Sequence, residues 1–352
     1  MSRKLCIING KNSLFTRSLT LQKLYKPHSV LELCHKRRNN QLSLTKTNNA
    51  KHYSTGILMI QDITSRLYAD SPQERLYHYT SFTGLLGIVE SKALWASDIR
   101  YMNDSAELKH TADLIRTEIT HRIGAGHAKP DLLTQFLDWV THRITNGHML
   151  FAASFRSNGN MLSQWRGYSR LGKGVSLGFN PDYILGCAQQ QSFQIGKCIY
   201  NCKSQTRLIS QVIDAVEALA ELHEHDSDNQ EKKGDHSYHS IFHLIESDLL
   251  RIAAILKHPS FREEEEWRIV SPVITDYVKA PVLFREGASM LVPFVEFNLL
   301  AKESASIALE HLFLGPTPNM TISMNSLTMF LSKNGIRPDK GISYCQIPFR
   351  SK

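Results

Sequence analysis

The hydrophobic pattern divides the chain at about residue 56. Before that point, only Ser18 to Tyr25 shows even a weak amphipathic period. Beyond it, apolar positions recur at helical or strand spacing almost to the C-terminus. Ile57 to Tyr68 predicts a lead-in helix and Arg75 to Tyr79 a short strand. Ser81 or Thr83 can cap the next helix, which runs to about Glu90. Ala93 to Ser97 reads as a second strand. Leu108, Ala112, Ile115 and Ile119 share one face of a helix over 104–120, and Pro130 opens another that reaches Ile144. Met149 to Phe155 is a buried strand, Met161 to Tyr168 a short helix, and Gly174 to Phe179 and Phe193 to Tyr200 two further strands. Residues 204–258 read as helical, broken by a polar loop at Glu224 to Asp235. Strands follow near 267–273, 280–284, 291–297 and 309–314, then a helix over Asn325 to Lys333 and a closing strand over Gly341 to Pro348.

Helices and strands mix here without a βαβ repeat. That predicts an α+β fold rather than a doubly wound sheet. The expected organisation is a basic tail or targeting-like extension over 1–55, followed by a single α+β domain over 56–352. That domain carries a helical insertion at about 204–258.

Charge supports this division. The chain of 352 residues has a net charge of +8. Eleven of its 41 Lys and Arg lie in residues 1–55, against the single acid Glu32. The rest is close to neutral, with 30 basic and 32 acidic residues. The globular body thus lacks the basic surplus of a nucleic-acid-binding domain. The tail is Arg- and Ser-rich and poor in acid, like an organelle transit peptide. A disordered tail and a misplaced start codon are the alternatives. No apolar run reaches membrane-spanning length, so no membrane partner is expected. Six cysteines without a CxxC pair fit reduced thiols and a cytoplasmic setting.

Candidate chemistry begins at Phe261-Arg262-Glu263-Glu264-Glu265-Glu266-Trp267-Arg268. If a strand begins within this acidic run, a period of two puts Glu264, Glu266 and Arg268 on one face. Trp267 and Ile269 then point into the core. Close carboxylates can divide acid, base and electrostatic roles; a solvated acidic turn is the alternative. His78, in Tyr77-His78-Tyr79-Thr80, ends a short aromatic strand ahead of a capped helix. Ser154-Phe155-Arg156 and Gln164-Trp165-Arg166-Gly167-Tyr168 offer aromatic surfaces and guanidinium donors suited to phosphate. Asn103 or Asp104, with Glu107, fits a capping box. Gly172-Lys173-Gly174 is too short for a phosphate loop. His239 and His243 are four apart in a His-rich stretch with His223, His225 and His236, which reads as polar surface rather than a metal site.

Taken in order, these motifs, with Leu94-Trp95-Ala96-Ser97, Gly174 to Phe179, Leu314-Gly315-Pro316 and Ile347-Pro348-Phe349-Arg350, resemble the bacterial domain-of-unknown-function family 2971 over roughly residues 75–350. More distantly, the His on the first strand, the Leu-Trp-Ala-Ser strand and the later Glu-x-Glu are similar to the ADP-ribosyltransferase superfamily. That resemblance implies a mixed, mostly antiparallel split sheet flanked by helices, with NAD as substrate. It implies Glu266 as the catalytic carboxylate, Glu264 orienting the acceptor, and His78 on an NAD ribose. Thr80 and Ser154 would join the cofactor-binding set. Tyr79, Trp165 or Tyr168 would supply the stacking ring, and Arg156 or Arg166 would hold the pyrophosphate. The implied function is an NAD-dependent ADP-ribosyltransferase-like enzyme, a toxin or defence effector acting on an unknown macromolecular or small-molecule acceptor. A metal-dependent hydrolase or nuclease and a non-catalytic binding module are the competing readings.

Overall fold

In the computed structural model, strand β3 (Phe151–Arg156), five apolar or small residues followed by Arg156, sets the centre of the sheet. The structure describes residues 46–102, 106–168, 174–227, 237–287, 289–300 and 306–347. Side chains at 46–55, 106–107, 145, 168 and 222–227 lie outside that description. The expected cap at Asn103 or Asp104 and the motif Gly172-Lys173 therefore fall outside the described residues. So do the Tyr168 ring, the imidazoles of His223, His225 and His236, the Pro348-Phe349-Arg350 end, and all but the last ten residues of the basic tail.

The described elements are α1 (Lys46–Leu67), β1 (Leu76–Ser81), α2 (Phe82–Ser91), β2 (Ala93–Asp98), α3 (Ala106–Gly124), α4 (Pro130–Asn146), β3 and α5 (Leu162–Tyr168). They continue with β4 (Gly174–Phe179), α6 (Pro181–Gln190), β5 (Gln194–Lys197), α7 (Cys202–Ser227), α8 (His239–Ile255) and β6 (Glu266–Val270). The last are β7 (Leu283–Glu286), β8 (Leu291–Asn298), β9 (His311–Leu314), α9 (Met320–Lys333) and β10 (Ile342–Tyr344). The mixed α+β expectation is met. Several details differ from it: α1 begins at Lys46 rather than Ile57, within the expected tail, and α9 begins at Met320 rather than Asn325. Helix α7 runs through Glu224 to Ser227, where a loop was expected, and α6 was not anticipated. Its signal was present in the sequence: Asn180 caps the Asp182 amide at 2.9 Å, with Pro181 at the first helical position.

All ten strands join one sheet, antiparallel except where β10 runs parallel to β9. Strand β3 gives one edge to β6 from Ala152 to Arg156. Its other edge is shared. Strand β2 takes Phe151 and Ala152, while β1 takes Arg156 at the far end. From β1 the sheet continues to β4, β9 and β10; from β2 it continues to β8 and β7. Strands β1 and β2 therefore diverge along the same edge of β3 and leave a gap beside Ala153 and Ser154.

The alternation of β3 and β6 separates two cores. Ala152 and Val270 face a helical core built from α1, α3, α4, α7 and α8, with Phe136, Val212 and Phe242 fully buried. Phe151, Ala153, Phe155, Trp267 and Ile269 face the other core, beneath α2, α6 and α9. Each large side chain fully buried this way contributes roughly 1.5–3 kcal/mol. Strand β3 thus sits between two packed layers, a rigid floor for whatever lies in the gap.

Candidate functional site

The gap between β1 and β2 opens into a cleft of about 650 Å³. Its floor is Ala152 to Ser154 with Arg156 on β3. One wall is Tyr77 to Ser81 with the start of α2; the other carries Trp95, Ser97 and the end of β7, Arg285 and Glu286. Local sequence explains the β1 wall. Ser81 ends the strand and accepts a hydrogen bond from the Gly84 amide at 3.1 Å, so the chain turns at once into α2. Gly84 leaves room there: a Cβ would sit 1.9 Å from Thr80 Oγ1, so a larger residue needs the Thr80 side chain to move.

His78 is half-buried between the cleft and Phe155. Its Nδ1 lies 3.0 Å from the Ser154 carbonyl. A carbonyl only accepts, so Nδ1 carries the proton and Nε2 is left as an acceptor. Burial pushes the imidazole pKa down against the pull of that carbonyl, and Arg156 lowers it further. The ring is neutral near pH 7, suited to receive a hydroxyl proton. Tyr79 faces the cleft from a fixed position: its hydroxyl donates to the Asn158 carbonyl at 2.8 Å and accepts from the Met161 amide at 2.8 Å.

Glu264 and Glu266 do not line this cleft. Both are buried behind Arg156. Glu264 closes a 3-10 turn, Glu265 takes a left-handed φ of 41°, and Glu266 begins β6. Lys257 Nζ lies 2.6 Å from a carboxylate oxygen of each of these two glutamates. Arg156 reaches Glu264 at 2.7 Å and Glu266 at 3.3 Å, and Arg268 Nε donates to Glu266 at 2.8 Å. Burial opposes ionisation of Glu266, but Arg268, Arg156 and Lys257 outweigh it and hold the carboxyl well below its usual range. Glu263 and Glu265 are exposed, and Glu265 accepts a 3.2 Å hydrogen bond from Ser157.

The structure therefore gathers His78, Tyr79, Thr80, Ser154 and Arg156 at one cleft and places Glu264 and Glu266 behind its floor. Trp165 is fully buried; it packs edge-on against Tyr79 and donates to Asn160 at 2.9 Å, so its ring has no face toward a ligand. Arg166 is exposed and does not line the cleft; Gln164 and Gly167 of the same motif do. Of the histidine pair, His243 sits against Trp139 and 3.5 Å from Glu246. Sequence reasoning missed Ser97, Arg285 and Glu286 as site residues. Their signal was a charged pair closing an apolar strand, Val282-Leu283-Phe284-Arg285-Glu286. Glu286 is the one carboxylate among the described residues that line the cleft.

No helix among the described residues is long and apolar enough to cross a membrane. No curated protein and no solved structure matches the chain. Residues 164–269 match the model of the family described as Protein of unknown function (DUF2971), a stretch that holds both Gln164-Trp165-Arg166-Gly167-Tyr168 and the acidic run, so the resemblance to that family is shown over those residues.

Proposed function

We propose that the cleft binds NAD as a substrate and that the protein is an ADP-ribosyltransferase-like enzyme. One observation carries the reading: the sheet splits beside β3, and the gap presents a neutral His78 acceptor, the Ser154 hydroxyl and a carboxylate, Glu286, around a single ligand-sized space. His78 Nε2 is placed to accept from a ribose hydroxyl. Cleavage of the nicotinamide–ribose bond builds positive charge on the ribose, which a neighbouring carboxylate stabilises. Glu286, exposed at the cleft wall, takes that role in place of Glu266, whose oxygens already serve three cations. Glu264 and Glu266 act at one remove, by holding Arg156 at the cleft floor.

The same cluster weighs against a metal-dependent hydrolase built on those glutamates. Oxygens bonded to Lys257, Arg156 and Arg268 are poorly placed to receive Mg²⁺. It favours the binding-module reading for these two residues alone.

The test is release of nicotinamide from labelled NAD, with candidate protein and nucleic-acid acceptors present, by wild type, Glu286→Gln and Glu264→Gln. The expected result is turnover by wild type and a loss of roughly 10²- to 10³-fold in Glu286→Gln with NAD binding retained. Binding without turnover by wild type would leave a binding module. Neither binding nor turnover would overturn the proposal.

A further inference from the structure

We infer that Arg285, with Ser97 and Ser154, forms an anion subsite in the cleft, so that the ligand's phosphate-bearing part lies against the β2–β8–β7 wall. This rests on the cleft being the ligand site and adds the ligand chemistry it selects. Strand β8 lies between β7 and β2, so the Arg285 side chain must cross the face of β8 to reach Ser97 Oγ, 3.1 Å away. It ends at the split rather than in solvent.

Several enclosed arginines of the described body meet a carboxylate: Arg75 meets Glu310, Arg100 meets Asp98, Arg143 meets Glu246 and Arg156 meets Glu264. Arg285 lines the cleft and, among the described residues, its guanidinium meets only the neutral Ser97 hydroxyl; its Nε is enclosed without a hydrogen-bond partner, as are those of Arg75, Arg143, Arg156 and Arg251. Ser154 Oγ, on the cleft floor, is likewise enclosed and unpartnered. Partial burial of a guanidinium with no counter-charge costs free energy that an anion in the cleft recovers. Burial accordingly lowers the Arg285 pKa, the opposite of Arg75, which Glu310 holds up. A guanidinium edge and two hydroxyls match the oxygens of a phosphate or diphosphate. They give an uncharged nucleoside nothing to pair with.

The experiment is calorimetric titration of wild type, Arg285→Gln and Arg285→Lys with ADP, adenosine, inorganic pyrophosphate and NAD, each variant first checked by thermal melting. Wild type should bind ADP and pyrophosphate and discriminate against adenosine. Arg285→Gln should bind ADP and pyrophosphate roughly ten- to a hundredfold more weakly, and Arg285→Lys should recover part of the loss. Pyrophosphate binding that depends on Arg285, without NAD binding, would sustain the subsite and sink the NAD reading. NAD and ADP binding unchanged in Arg285→Gln would overturn the subsite and leave the NAD reading standing. Equal affinity for ADP and adenosine, or no binding of any anion by wild type, would also overturn it.

Discussion

At Glu266, one fully buried carboxylate meets Arg156, Lys257 and Arg268. Removing it leaves cations without their counter-charge in a dry interior. Glu266→Gln should therefore cost about 3–5 kcal/mol in urea denaturation, whereas Glu265→Gln, on an exposed side chain, should change stability by less than about 0.5 kcal/mol. The pH dependence has a definite sign. The folded-state pKa of Glu266 is depressed, so its stabilisation is present above the ordinary carboxyl value of 4.5 and is lost as pH falls below it. The folded-state pKa of His78 is also depressed, by burial. Its unfolded form binds more protons just below the ordinary value of 6.5, so stability declines as pH falls through that region. Wild type should lose stability in two stages, and His78→Gln should reduce the first, leaving the part due to His311, whose pKa burial also lowers. A flat profile between about pH 7.5 and 5.5 in wild type would refute the assignment of a half-buried, neutral His78. The parity of Glu266, Trp267 and Arg268 was legible in the sequence, because a strand's period of two admits only two faces. What the polar face meets was not legible. Lys257 and Arg156 arrive from nine residues before and from another strand.

Among the elements, the β1 wall rests on two tight approaches. Ser81 caps α2 through Gly84, so Ser81→Ala should cost about 1 kcal/mol by thermal or chemical denaturation. Gly159 lies against the Tyr77 ring, where an added Cβ would meet ring carbons at 2.4 Å. Gly159→Ala should cost about 1–3 kcal/mol and displace Tyr77, which near-ultraviolet circular dichroism would register. No change in either measurement would contradict the packing described for this wall. Most elements could be read from local pattern and caps, since Ser81, Pro130 and the Leu108–Ile119 stripe are local signals. The extension of α7 to Ser227 could not. A polar sequence such as Glu224 to Ser227 favours a loop by composition, but four residues continuing a helix already anchored by Leu208, Val212 and Leu219 lose little by staying helical.

At the scale of the whole molecule, the cleft is a product of pairing. Strands β1 and β2 are each ordinary six-residue strands, joined through ten-residue α2. Only their attachment to opposite ends of the same edge of β3 separates them. Single-residue patterns cannot encode that choice, which explains why the sequence pointed to His78, Tyr79, Thr80, Ser154 and Arg156 but overlooked Arg285 and Glu286. Those two arrive by way of β8, through pairings that span nearly two hundred residues. The acidic run drew attention by its density of charge, yet its two inward carboxylates brace the floor from behind. The one acidic residue among the described residues that line the cleft, Glu286, is solitary in sequence.

The most direct measurement is titration of NAD into the wild-type protein beside His78→Ala and Ser154→Ala, with heat of binding as the readout. Wild type should show saturable one-to-one binding, weakened about tenfold or more in each variant while the melting curves stay cooperative. Absence of saturable binding by wild type, or wild-type affinity in both variants, would contradict the proposed NAD site.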